Sequence, residues 1–167
     1  MKLEIIDPHE LRFCETNARA HPEKSVKAIM KSVQQFGQQK PIIVTQELEV
    51  IAGHGLLIAA MRLELPRVLI IKSTLSFDEA QAYAIADNRT GDLAVWNMDE
   101  LKRSLAELAK ANSGLLPSLG FTKQETKDML ATIADLDIPN IGKSFDEDCA
   151  SEVEWHICKN CSHTWPK

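Results

Sequence analysis

The sequence has few cysteines and no long apolar run. Its four cysteines, Cys14, Cys149, Cys158 and Cys161, are too few among 167 residues for the disulfide framework of a small secreted domain. No apolar stretch approaches the roughly 18 residues of a membrane span. Residues 1–12 carry charges where a signal peptide would have an apolar region. We therefore expect a cytoplasmic protein with no membrane partner.

The chain also lacks an excess of positive charge. Its formal net charge of −5 argues against a protein that binds nucleic acid by bulk electrostatics alone. Residues 1–90 contain 11 Lys and Arg against 11 Asp and Glu, whereas residues 91–167 contain 8 against 13. The acidity therefore belongs to the second half. A local basic patch on the first half stays open, and a mixed solvated surface is the simpler interpretation.

Hydrophobic periodicity predicts an α/β chain with one core. The predicted strands lie before Asp7 and at residues 41–45, 49–52 and 68–71. The predicted helices run from Pro22 to Gly37, from residue 56 to about Leu65, from Ser76 to a break at Gly91, and onward from caps at Asn97 and Thr122. We divide the chain into a domain at 1–95, a helical extension at 96–134, a linker at 135–152 and a tail at 153–167.

A glycine-rich elbow, Gly53-His54-Gly55, joins a predicted strand to a predicted helix. Glycine permits positive φ angles and close approach of a ligand to the backbone. The N–H groups that open the following helix have no intrahelical partner and can bind an anion. The alternative is a tight turn whose glycines serve only packing. Spacing alone does not separate the two, because no established phosphate-loop pattern is present.

Two further polar groups lie at the ends of predicted elements. They are Asn17 with Arg19, and Asp87-Asn88-Arg89. If they converge with the elbow, the arginines could bind phosphate and Asp87 or Asn88 could supply an oxygen ligand for magnesium. The alternative is that Asp87 and Arg89 are solvated charges at a helix end. His21 is expected to be exposed to solvent.

The order of these motifs resembles the ParB/sulfiredoxin-like domain, also called the ParB-like nuclease domain. The resemblance is carried by residues 36–44 (FGQQKPIIV), 50–55 (VIAGHG) and 85–89 (IADNR). It is closest to a branch with Asn-Ala-Arg, Ile-Ala-Gly-His-Gly and Ile-Ala-Asp-Asn signatures, found in phage and mobile-element proteins and fused to DNA methyltransferases. It extends over about residues 2–110 and implies an α/β (α+β) fold with a small mixed sheet and packed helices.

The resemblance implies a nucleotide pocket around the elbow. Its lining would comprise Gly37, Gln39, Gly53, His54, Gly55, Asn88 and Arg89, with Arg19 added for its charge. Members of the family usually have an arginine where this chain has Leu56, and leucine cannot bind phosphates bidentately. Sulfiredoxins have a cysteine in the elbow, which is absent here, so sulfinic acid reduction is not expected.

We therefore expect a nucleotide- or DNA-associated binding module that serves a phage or mobile element as an accessory protein. Its partners would be nucleotide, DNA, a methyltransferase or other phage protein, and a second copy of itself. One alternative is a magnesium-dependent nuclease, nucleotide hydrolase or phosphotransferase, with His54 as the base and Asp87 as a catalytic carboxylate. Another is a catalytically inactive adaptor, which Leu56 favours.

The tail contains a Cys158-x-x-Cys161 pair, typical of one knuckle of a zinc ribbon. A closed tetrahedral site needs two further ligands, and His156, His163 and Cys149 are the candidates. His156 is sterically awkward because it lies only two residues before Cys158, so His163 and Cys149 are preferred. The alternative is a degenerate half-site that a partner completes. A redox role is less favoured, because no strand-to-helix thioredoxin pattern surrounds the cysteines.

Overall fold

The structure, a computed structural model, describes residues 2–134, 155–157 and 164–166. The chain divides into two compact units, Met1–Ala134 and Asp135–Lys167. The predicted linker at 135–152 and the predicted zinc ligands Cys149, Cys158, Cys161 and His163 lie outside the described residues. Within the described part of the chain, no helix is both long and apolar enough to span a membrane.

The first unit combines helices with a four-stranded mixed sheet. The strands are β1 (Lys2–Ile6), β2 (Ile42–Val44), β3 (Val50–Ala52) and β4 (Val68–Lys72). The helices are α1 (Glu23–Phe36), α2 (His54–Arg62), α3 (Phe77–Leu93), α4 (Met98–Asn112) and α5 (Lys123–Ala134), with 3-10 turns at Pro8–Glu10 and Ser113–Ser118. The sheet order is β1-β4-β2-β3, with β2 and β4 parallel and the other two pairs antiparallel. The predicted mixed sheet and α/β class are confirmed.

The core forms where the central strands meet α2. Ile42 and Val44 of β2, Ile70 of β4 and Leu57 of α2 are all fully buried. The β-branched residues suit the pleated central strands, and Leu57 faces them from the helix. This packing fixes the position of α2, and therefore the position of the elbow at its amino end.

Helix ends follow the local signals in most places. Gly37 ends α1 with a φ of 70°, and Ser76 and Glu79 form a reciprocal capping box at the start of α3. The side chain of Asn97 accepts a hydrogen bond from the backbone of Glu100 at the start of α4. These predictions are confirmed.

Two predicted helix ends are wrong. Helix α3 continues through Gly91 to Leu93, because glycine weakens a helix without ending it and nothing crowds its exposed surface. Helix α2 ends at Arg62 rather than near Leu65. Glu64 takes a positive φ of 52°, and the N–H of Leu65 donates to the carbonyl of Ala60, which reverses the chain.

In the second unit, β5 (Trp155–Ile157) pairs with β6 (Thr164–Pro166). The pairing is antiparallel, with Trp155 opposite Pro166 and Ile157 opposite Thr164. Short apolar and polar alternation around Cys158 and Cys161 predicts a small β-hairpin, and the paired strands agree with that prediction.

Candidate functional site

The elbow is a sharp strand-to-helix turn. Gly53 follows β3 with φ 104° and ψ 19°, a left-handed conformation that favours glycine. It caps α2 without a side-chain hydrogen bond, and the first backbone bond inside the helix runs from Leu57 to the carbonyl of Gly53 at 2.9 Å. The N–H groups of the first turn therefore have no carbonyl partner within the helix and can bind an anion.

Gly55 serves packing as well. A Cβ at this position would lie 2.8 Å from Cδ1 of Ile29 and 2.9 Å from Nδ1 of His21. A side chain here would therefore displace α1 side chains or the imidazole of His21. The two sequence interpretations of the elbow, packing turn and anion site, are thus compatible with each other.

A cavity of about 390 Å³ lies at the elbow, and we call it the elbow cavity. It is lined by Asn17, Arg19, His21, Ile29, Lys40, Ile51, Ala52, Gly53, His54, Gly55, Leu56, Asp87 and Asn88. The charged side chains among these are the basic Arg19 and Lys40 and the carboxylate Asp87. Together with the positive end of α2, they make the cavity suited to a ligand of net negative charge.

Arg19 joins the amino-terminal loop to α3. Its Nη1 donates to Oδ1 and the backbone carbonyl of Asn88, at 3.2 and 3.4 Å, and its Nη2 lies 3.1 Å from the carboxylate of Asp92. The side chain of Asn17 in turn bonds the backbone of Arg19. The structure therefore brings together three predicted groups: Asn17 with Arg19, the elbow, and Asp87 with Asn88.

Three predicted nucleotide residues do not line this cavity. Gly37 ends α1, and the side-chain amide of Gln39 donates to the carbonyl of Phe36. Arg89 is exposed on α3. The neighbouring Gln38 anchors the loop instead, because its side chain bonds both the N–H and the carbonyl of Leu69. As contacts of a bound nucleotide, these three residues remain predictions.

Sequence reasoning missed two lining residues, His21 and Lys40. The expectation that His21 is exposed is wrong: the side chain is half-buried against the elbow. Burial and the nearby charge of Arg19 lower the pKa of His21. No local signal identifies either residue, because each lies in a connecting segment and is placed by the packing of α1 against α2.

His54 is the most enclosed polar residue of the elbow. Its side chain is 7% exposed, and its ring stacks on Phe13 with 6.4 Å between centroids. Burial lowers the pKa of His54, the proximity of His21 lowers it further, and Glu49 opposes the shift. The imidazole is therefore neutral at neutral pH, the form required of a general base. Nε2 has no hydrogen-bond partner among the described residues.

Asp87 is the carboxylate among the residues that line the elbow cavity. It lines the same cavity as His54, its predicted catalytic partner. Oδ1 of Asn88 already accepts from Arg19, so Asp87 is the more available oxygen ligand. Within residues 2–134 and the two tail strands, His, Cys, Asp and Glu form no cluster of three or more. Magnesium is commonly held by one or two carboxylates together with phosphates of a substrate, and Asp87 fits that pattern.

Comparison with known proteins identifies one curated relative and several similar folds. No family model matches the chain. The ParB-like nuclease domain-containing protein YnaK of Escherichia coli (strain K12) is 36% identical over 66 residues, which are 39% of this chain and 76% of that protein. The C-terminally truncated chromosome-partitioning protein ParB from Caulobacter crescentus, complexed with CTP-gamma-S, superposes with a TM-score of 0.70. The two are 19% identical, over 80% of this chain and 79% of that one.

Proposed function

The chain belongs to the ParB-like nuclease domain family, and from that we propose that it is a nucleotide-binding module whose elbow cavity holds the phosphates of a nucleoside triphosphate. The observation that carries the proposal is the convergence of Arg19, Lys40 and the amino end of α2 on one cavity. The Caulobacter ParB structure of similar fold contains CTP-gamma-S, which supports a nucleotide as the class of ligand.

The phosphates would bind two kinds of donor. Backbone N–H groups at the start of α2 would donate from a fixed position, because Gly53 and Gly55 allow the turn and the close packing that hold the helix end there. Arg19 and Lys40 add charge-assisted hydrogen bonds from the cavity wall. Arg19 is already oriented by Asn88 and Asp92, so less side-chain entropy is lost when it binds.

Asp87 would hold a magnesium ion against those phosphates. Without a cation, its carboxylate would repel them from the same wall of the cavity. Asp87 would supply a carboxylate oxygen to magnesium, and the ion would supply positive charge that offsets the charge of the phosphates. Binding is therefore expected to depend on magnesium in the wild type and less so in Asp87→Asn.

Leu56 makes binding the preferred role over hydrolysis. It lines the elbow cavity and packs partly against the core, so this position contributes no guanidinium to the developing charge of a transition state. A second candidate, a magnesium-dependent nuclease or nucleotide hydrolase, is favoured by one observation: neutral His54 and Asp87 line the same cavity. Product release that His54→Ala and Asp87→Ala abolish would support the second candidate.

The binding proposal is tested by calorimetric titration of the full chain with ATP, GTP, CTP and UTP, each with magnesium. We expect one of them to bind, and Lys40→Ala to weaken its affinity by about tenfold, as for loss of one hydrogen bond to a charged group. Lys31→Ala is the matched control, since Lys31 is an exposed lysine of α1 that does not line the elbow cavity. Absence of binding for all four nucleotides would reject the proposal.

The biological setting is also a proposal. The order of the motifs at residues 36–44, 50–55 and 85–89 supports an accessory role in a phage or mobile element, with DNA, a methyltransferase and a second copy as partners. A DNA gel-shift assay with and without the bound nucleotide tests the first of these partners. A shift that never responds to nucleotide would separate DNA association from the elbow cavity.

For the tail we propose a zinc site of Cys158 and Cys161, completed by His163 and Cys149. Residues 158–163 connect the paired strands β5 and β6, as the turn of a zinc knuckle does. Metal analysis of the full chain against Cys158→Ser tests it. Equal zinc content in the two proteins would reject this ligand set.

A further inference from the structure

Five exposed lysines flank a groove between α1 and α5. Lys24, Lys27 and Lys31 are three and four positions apart on α1, so they form one stripe that runs about 10 Å along the helix. Lys123 and Lys127 are four positions apart on α5 and share a face of that helix. The two stripes make this a strongly basic surface outside the elbow.

Two adjoining cavities form the groove. One, of about 380 Å³, is lined by the three lysines of α1, and the other, of about 600 Å³, by the two lysines of α5. Pro117 and Phe121 line both cavities, so the two form one surface, which we call the lysine groove. The lysine groove shares no lining residue with the elbow cavity.

Positive charge is in excess in the lysine groove. Glu23 is the one carboxylate among the described residues that line it, and Arg62 and Lys27 already pair with it at 2.6 and 3.6 Å. Glu125 is close to Lys24, and its carboxylate caps the start of α5. Five lysines against these two carboxylates favour a polyanionic ligand, although the chain as a whole has a net charge of −5.

Apolar and aromatic side chains lie between the lysines. Leu116, Pro117 and Leu130 line the α5 side, and Phe121 lines both cavities. The ring of Trp96 packs on Phe121 with 6.1 Å between centroids, and Trp96 is 68% exposed. Bases inside a duplex stack on one another, whereas unpaired bases can stack on such rings.

Basic side chains along a strand backbone and aromatic rings under its bases are the two elements of single-strand recognition. We propose that the lysine groove binds single-stranded nucleic acid, with the lysines on phosphates and Phe121 and Trp96 against bases. This inference gives the DNA association proposed above a surface and a strand form. It does not depend on nucleotide binding at the elbow cavity.

The test measures binding of labelled oligonucleotides of about 15 nucleotides to the full chain by fluorescence anisotropy, without magnesium or free nucleotide. The probes are a single-stranded DNA, a single-stranded RNA and a DNA duplex of the same length, with polyglutamate as a competitor. We expect at least one single strand to bind about tenfold tighter than the duplex. The logarithm of its affinity should fall against the logarithm of salt concentration with a slope of about −0.7 for each phosphate bound.

Absence of binding would overturn the proposal, and so would a duplex that binds as tightly as the single strands. Displacement by polyglutamate as effective as displacement by unlabelled single strand would show a surface for acidic peptides instead. Because the probes carry no triphosphate, a failure of nucleotide binding at the elbow cavity would leave these results unchanged.

Substitutions locate the binding. Lys31→Ala and Lys127→Ala, one on each helix, should each weaken single-strand affinity about threefold to fivefold and reduce the salt slope by about 0.7. Lys2→Ala is the matched control, because Lys2 is an exposed lysine of β1 that lines neither cavity of the groove. Phe121→Leu keeps an apolar side chain and should weaken affinity at least fivefold with the salt slope unchanged.

The indole N–H signal of Trp96 in NMR spectra of the wild type gives a readout that does not depend on the variants folding. It should shift when the single strand is added, because Trp96 packs on Phe121. An unmoved Trp96 signal, or a loss of affinity in Lys2→Ala equal to that in Lys31→Ala and Lys127→Ala, would overturn the proposal.

Discussion

Replacing Arg19 with alanine should separate binding from stability. Arg19→Ala removes a surface ion pair with Asp92, whose side chains are 44% and 53% exposed, and two long, exposed hydrogen bonds to Asn88. The free energy of unfolding should therefore fall by about 1–2 kcal/mol. A hydrogen bond from Arg19 to a phosphate is worth about 1.5–3 kcal/mol. We therefore expect Arg19→Ala to weaken nucleotide binding at least tenfold while the protein stays folded.

Asp92→Asn is the matched control for this variant. It removes the same ion pair, but Asp92 does not line the elbow cavity and Arg19 keeps its charge. We expect a similar small change in urea unfolding and unchanged or slightly tighter binding by calorimetry. Unchanged affinity in Arg19→Ala, or an equal loss of affinity in both variants, would refute the role of Arg19 in binding phosphate.

The remaining predictions concern packing, charge and pH. Gly55→Ala should displace His21, destabilise the protein by about 1–3 kcal/mol in urea unfolding and weaken nucleotide binding; unchanged stability and affinity would contradict the observed crowding. Leu56→Arg should tighten nucleotide binding about tenfold in calorimetry, since the position lines the elbow cavity; no gain would place the phosphates elsewhere. Leu105→Ala should cost about 2–5 kcal/mol of stability, because Leu105 is 1% exposed, and should leave the affinity of the folded protein unchanged. His54 and His21 have lowered pKa values in the folded protein, so the unfolded chain takes up protons first as the pH falls below 6.5; urea unfolding should show stability that is constant above that pH and decreases below it, and a flat profile between pH 7.5 and 5.5 would contradict the burial of these residues.

Local sequence signals predict much of the fold. Three helix ends each depend on residues within one helical turn: the capping box at Ser76, the cap at Asn97 and the stop at Gly37. They can therefore be predicted without tertiary information. The predicted end of α3 at Gly91 was wrong, because a glycine inside a helix lowers the stability of the helix without ending it. The end of α2 depends on the positive φ of Glu64, a non-glycine residue that gives no such signal.

The site was predictable only in part. The contact between Arg19 and Asn88 joins residues 69 positions apart, and spacing alone favoured solvated charges at the helix end. The order of the family motifs suggested the convergence that the structure contains. His21 gave no local signal, and Lys40 lies within the motif at residues 36–44 without being marked there as a binding residue, because only the folded chain places both at the elbow cavity. Nε2 of His54 has no hydrogen-bond partner among the described residues, and this follows from burial, which the sequence does not reveal.

The central claim is that the elbow cavity binds the phosphates of a nucleotide. The most direct test is a crystal structure of the full chain with magnesium and whichever nucleoside triphosphate binds in calorimetry. We expect phosphate oxygens within hydrogen-bond distance of the first-turn N–H groups of α2, and of Arg19 and Lys40. A nucleotide bound away from Gly53 to Gly55, with Arg19 still paired only to Asn88 and Asp92, would contradict it.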